Sequence, residues 1–115
     1  MTCARDYHIE GGVLTVKSAL DYAFSRGFRE ACRALLNSDE RDIAIDLVGH
    51  TYITSIYLGM LMDAGKRAQE LGKNLVVRAS SGLVRFFDAV DLGCFVRIEI
   101  VGPDGARPDG RAGKP

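Results

Sequence analysis

The residues of this 115-residue sequence whose types and spacing could do chemistry sit in one short run, IDLVGHTYITSIYLGML. Asp46 stands at the end of an apolar, strand-like stretch. Gly49 turns the chain, and Thr54 and Ser55 bring hydroxyls to the point where a helical pattern starts. The first backbone N–H groups of a helix have no partner within it, and the aligned peptide dipoles put positive potential there. Such a place accepts a phosphate. A phosphorylated serine would carry nearly two negative charges and could switch a docking surface. Serine and threonine are also the preferred helix caps, so a purely local role explains the same residues. The chemistry in view is that of a modified residue, not of a catalyst.

Other chemistries find little support. His8 and His50 are the only imidazoles, both beside turns or strand ends, and a base role would need a positioned partner. No Walker-type phosphate loop, no G-x-G-x-x-G after a strand and no G-x-S-x-G elbow occurs. Asp39, Glu40 and Asp42 form a carboxylate cluster of the kind expected in a polar loop. Cys3, Cys32 and Cys94 are odd in number, far apart and without C-x-x-C spacing, so neither a disulfide framework nor a zinc site is expected. Cys32 and Cys94 fall in apolar patterns, where free cysteine packs as a small hydrophobe. Fifteen basic and fifteen acidic residues cancel, which removes a generic electrostatic grip on nucleic acid or an anionic membrane. No signal core and no membrane-length apolar run is present, and a cytoplasmic protein without metal or cofactor is expected.

The elements that must position Asp46 and Ser55 are read from periodicity. Tyr7 to Glu10 and Val13 to Lys17 flank Gly11-Gly12, the signature of a hairpin. SALDYAF bends the chain away, and Ser25 is a candidate cap for a first helix with Phe28, Ala31, Cys32 and Leu35 on its buried face. Ile43 to Val48 reads as a central strand with Asp46 as its polar intrusion. A second helix starts near Thr54 or Ser55, buries Tyr57, Leu61, Ala64, Ala68 and Leu71, and stops at Gly72. Asn74 to Ala79 is a fourth strand. A third helix follows, capped by Ser80 or Ser81, built on Leu83, Phe86, Phe87 and Val90 and closed by Gly93. Phe95 to Val101 is the last strand. The order β-β-α-β-α-β-α-β predicts an α/β domain over residues 1–101, with a mixed, mostly parallel sheet of five strands. From Gly102 the chain holds all three prolines and no large apolar residue, so residues 102–115 are expected to be a disordered tail. Arg107, Arg111 and Lys114 in that tail are offset by Asp104 and Asp109.

From Arg41 to Ile100 the pattern resembles the STAS domain of bacterial anti-sigma-factor antagonists. Asp46, Leu47 and Gly49 match the family's "hhLDLSGV" strand. Tyr52, Ile53, Ser55, Leu58 and Gly59 match "xFhDSSGLGhLh", and Ala19-Leu20-Asp21 resembles "GELD" after the second strand. With the element order, the likeness covers residues 7 to 101. Asp21, Asp46, Gly49, Leu58 and Gly59 are then structural motif positions. The departures fall at the serine pair: Thr54 stands where the family has an acid, Ile56 replaces the second serine and Tyr57 the following glycine.

The resemblance implies a non-catalytic, partner-switching regulator that binds an anti-sigma factor or GHKL-type serine kinase. Ser55 would be the phosphoacceptor, Thr54 the fallback, and a PP2C-type phosphatase a further partner. A monomer or weak dimer is expected. The degraded motif equally suits a constitutive structural subunit of a larger complex, such as transport machinery. On helical spacing, Ile56, Met60 and Asp63 point away from the buried stripe. With Thr54, Ser55 and Tyr57 at the edge they make the expected partner-binding surface.

Overall fold

The computed structural model describes residues 7–101. Cys3 and the expected tail lie outside them. Two short strands, β1 (Tyr7–Glu10) and β2 (Val13–Val16), pair antiparallel across the Gly11-Gly12 turn. Both glycines have positive φ, +59° and +79°, which a two-residue hairpin of this hand requires. After a 3-10 turn at Tyr22–Phe24 come α1 (Ser25–Leu36), β3 (Asp42–Leu47), α2 (Ser55–Glu70), β4 (Asn74–Ser80), α3 (Val84–Ala89) and β5 (Arg97–Val101). The sheet runs β1-β2-β3-β4-β5, parallel from β2 onward. Each crossover moves one strand further in the same direction. Right-handed crossovers of that kind place all three helices on one face.

The registers show which side chains face the helices. Leu14, Ile45, Val77 and Ile98 stand in one row across four strands. The first three are wholly buried, and Ile98 packs against the same core. Phe28, Ala31, Cys32 and Leu35 of α1 are buried as their i, i+3, i+4, i+7 spacing predicts, with α1 lying against β1 and β2. The residues expected in the core, Ile45, Leu47, Leu61, Ala68 and Phe87, are all buried.

Several boundaries and faces differ from the expectation. Ser25 is the first helical residue of α1, and Phe24 holds the cap position with no side-chain capping bond. On α2, Leu58, Met60 and Gly65 join the buried set. The helix is the middle one of the layer, held by α1 on one flank and by β4 and the 92–94 turn on the other. Its buried arc is therefore wider than one stripe. Leu71 is exposed, because it occupies the C-cap where the chain turns off through Gly72 (φ +71°). Gly72 N–H to the Gln69 carbonyl (3.1 Å) and Lys73 N–H to the Ala68 carbonyl (2.8 Å) complete a Schellman ending.

The third helix ends before Gly93. Asp91 takes the left-handed conformation (φ 52°), and a 3-10 turn at Leu92–Cys94 follows. That turn puts Leu92 in the core and Cys94 on the surface, against the expectation that Cys94 is buried. Cys32 is buried as expected, and burial pushes its thiol up to about 12.

Candidate functional site

The site grows from the end of β3. Asp46 accepts a hydrogen bond from the Val48 backbone N–H through Oδ1 (2.9 Å), which turns the chain out of the strand. Gly49 follows with φ +98°, a conformation open to glycine at no steric cost. Its N–H donates to Ser80 Oγ at the end of β4 (2.9 Å), tying the turn to the neighbouring strand. Ser80, expected as a helix cap, serves this cross-link instead and makes no side-chain capping bond. His50 donates through Nε2 to the Val16 carbonyl of β2 (2.8 Å). Both neighbours of β3 thus hold the turn.

From there the chain runs extended. Ile53 points into the core, so the preceding Tyr52 points out, 59% exposed. The Thr54 N–H donates to the Leu20 carbonyl (3.2 Å), beside a turn that Asp21 fixes by accepting from the Ala23 N–H (3.1 Å). Asp21, Asp46 and Gly49 thereby hold the backbone around the helix start. Thr54 is the N-cap of α2 with extended backbone (φ −87°, ψ 162°), and Ser55 is the first helical residue. The Thr54 hydroxyl is buried without a hydrogen-bond partner, so it does not cap the helix. No acidic side chain stands in the first turn either. Ser55 is therefore exposed at the positive end of a 16-residue helix with no side chain occupying it.

The exposure expected along α2 differs in this geometry. Met60 is buried and lines the floor of a groove of about 490 Å³ between α1 and α2, beside Cys32 and Leu36. Ile56 is half-buried against the core, and Tyr57 is wholly buried. The Tyr57 ring packs on Phe28 with centroids 4.9 Å apart. Its phenol is held above the usual tyrosine range, first by burial and then by Tyr7 and Asp21. Leu58 is buried too, whereas a Cβ added at Gly59 would meet nothing within 4 Å. Of the expected surface only Ser55 and Asp63 are fully exposed.

Three residues before Ser55 the chain makes an aromatic contact. Tyr52 meets the Phe86 ring of α3 edge-on, with centroids 5.8 Å apart. The Arg85 guanidinium lies 5.1 Å from the Phe86 centroid, a cation–π contact. An open concavity lined by Thr51, Ser81, Gly82 and Arg85 continues the surface. Sequence reasoning missed this cluster. The available signal was the period-two alternation at Tyr52-Ile53, which turns one large side chain inward and its neighbour outward.

The comparisons with known proteins agree with this architecture. The family model described as "Mlab, STAS domain" matches residues 3–97. A solved structure titled "NMR Structure of the protein TM1081" superposes with a TM-score of 0.64, at 18% identity, over 85% of this chain and 82% of that one. No curated protein matches the chain significantly. Among the described residues no helix is long and apolar enough to cross a membrane, and no cluster of side chains is suited to a metal ion.

Proposed function

The chain belongs to the STAS domain family, and from that premise we propose that it is a non-catalytic docking protein whose partner binds at the start of α2, under control of phosphate on Ser55. The observation that carries this reading is the uncapped, acid-free N-terminus of a 16-residue helix with an exposed serine as its first residue. A phosphate there would be held by free N–H groups and the helix dipole, so adding it costs the fold little. Tyr52, three residues upstream, with Phe86 and Arg85 supplies the aromatic and guanidinium side chains that dominate protein interfaces. The same phosphate, set into an apolar contact, would break docking by its desolvation cost. The partner class suggested by the family resemblance is an anti-sigma factor or GHKL-type serine kinase, with a PP2C-type phosphatase to reverse the switch.

A second reading, a constitutive subunit of a larger complex, is favoured by Thr54, Ile56 and Tyr57. The three departures give the helix start a buried hydroxyl, a packed isoleucine and a core aromatic where the family motif has polar or small residues. Affinity capture from the native cells, with wild-type and Ser55→Glu baits and phosphosite mapping by mass spectrometry, separates the two. The switch requires phosphate on Ser55, or on Thr54 as fallback, and a partner lost from the Ser55→Glu bait. A partner held equally by both baits, with no phosphate at either residue, establishes the constitutive subunit.

A further inference from the structure

Opposite the helices the sheet presents two ordered rows of side chains. The registers align Glu10, Val13, Ala44, Val76 and Arg97 across all five strands, one residue per strand. The next row is His8, Thr15, Asp46, Arg78 and Glu99. Glu10 and Arg97 at the ends are exposed, Ala44 in the centre is buried and the other seven are half-buried. A largely parallel sheet is ordinarily covered on both faces, yet among the described residues every helix lies on one. The first row is apolar in its middle and carries an exposed acid at one end and an exposed guanidinium at the other. A surface charged in opposite senses at its two ends is complementary to itself.

We propose that this open face is a two-fold interface between two copies of the chain, with Glu10 of each opposite Arg97 of the other. A two-fold axis parallel to the strands and passing along β3 lays β1 of one copy over β5 of the second. Val13 then stacks on Val76 of the second copy and Ala44 on its own counterpart, and His8 lies over Glu99 of the second copy. Two twisted sheets pack aligned in this way about 10 Å apart. Asp46 falls on the axis and faces its own copy. Its Oδ1 is turned to the Val48 N–H (2.9 Å). Arg78 itself keeps its ion pair with Glu99 within one chain (3.3 Å).

Size sets the strength. A five-stranded face with strands of this length covers roughly 350 Å² per copy, below what a standard permanent interface buries. The dimer is therefore weak and dependent on concentration, and because its outer contacts are ionic it loosens with salt. The helix layer stays outward in both copies, so the α2 start remains accessible twice in one assembly. A partner with two matching sites would gain from this by effective concentration.

Charge reversal tests the geometry. Sedimentation equilibrium of the full chain, carried into the millimolar range at low salt, should show wild-type dimer. Glu10→Arg alone and Arg97→Glu alone should each weaken self-association at least about tenfold, since each sets like charges face to face. The double swap, Glu10→Arg with Arg97→Glu, restores it. An equimolar mixture of the two single variants also restores it, as a heterodimer. The Glu10→Arg chain is basic at both ends of the row and the Arg97→Glu chain acidic at both, so each end meets its opposite. Circular dichroism establishes that each variant is folded. A chain that stays monomeric throughout, or a dimer indifferent to these reversals, overturns the proposal. So would binding of this face by residues 102–115, read as amide shifts on β1 and β5 that vanish in a 1–101 chain.

Discussion

Cys32 and Cys94 carry the same thiol in two environments, and reactivity should follow the environment. Burial holds Cys32 protonated up to about 12, while Cys94 is exposed on the 92–94 turn. Iodoacetamide at mildly alkaline pH should label Cys94 in the native protein and reach Cys32 only on unfolding, as read by peptide mass spectrometry. Equal labelling of the two would mean that α1 opens readily. The raised Cys32 value also gives stability a pH dependence. The folded state binds this proton more tightly, so the contribution is whole below the ordinary thiol value of 9.0 and is lost as pH climbs through about 12. Cys32→Ala should flatten that part of the alkaline unfolding profile. Tyr52 makes a different prediction, resting on the docking proposal. Tyr52→Ala removes an exposed side chain, so stability should move by no more than about 0.5 kcal/mol. Partner affinity should fall about tenfold or more in calorimetry. Unchanged affinity would exclude the Tyr52–Phe86 face from the contact.

Among the elements, α2 carries the most consequence because it is packed on both flanks. Gly65 is its point of closest approach: a Cβ there would run into the Phe95 carbonyl oxygen and crowd the Val96 side chain. Backbone cannot yield as a flexible side chain can. Gly65→Ala should therefore cost about 1–3 kcal/mol by chemical denaturation, although alanine is the better helix former by about 1 kcal/mol. A neutral or stabilised variant would mean the helix sits further from the 95–96 segment. Met60 gives the complementary case. Met60→Lys would bring a charge into the floor between α1 and α2 and should lower stability by several kcal/mol. Met60→Leu, which conserves volume, should cost less than about 1.5 kcal/mol. A fully stable Met60→Lys protein would return this residue to the surface.

At the scale of the whole molecule, the sheet predicts where stability resides. β3 and β4 have strands on both sides and the longest shared register, from Asp42–Asn74 to Leu47–Ala79. Their central amides should exchange with solvent only through global unfolding. Those of β1 and β5, at the sheet's edges, should also exchange through local opening. Hydrogen exchange followed by NMR checks this, and faster exchange at Ile45 or Val77 than at Ile9 would contradict it. Lys73 extends the same frame to the loops. Its ammonium donates to the Ser38 and Glu40 carbonyls (2.7 and 2.6 Å), fastening the α1–β3 connection to the start of β4.

The sequence alone determined the element order, the hairpin and the inward rows. Those depend on local chemistry: Gly11-Gly12 permits positive φ, apolar residues recur at helical or strand spacing, and Gly72 ends a helix. It also located Ser55 at a helix start, since that needs only the end of one pattern and the beginning of another. Which faces are covered was decided by tertiary structure. Periodicity gave α2 a single buried stripe, and burial of Met60 and Leu58 follows from neighbours on two sides that its own spacing does not record. The third helix stopped early because Asp91 took a left-handed turn that favours Leu92 over Cys94 for the core. Ser80 left its expected capping role because β4 happens to end beside Gly49. The Tyr52–Phe86 contact and the proposed sheet-face interface likewise join residues from distant strands and helices. Contacts of that kind are set by strand register and crossover direction, which are properties of the folded sheet and not of any single segment of chain.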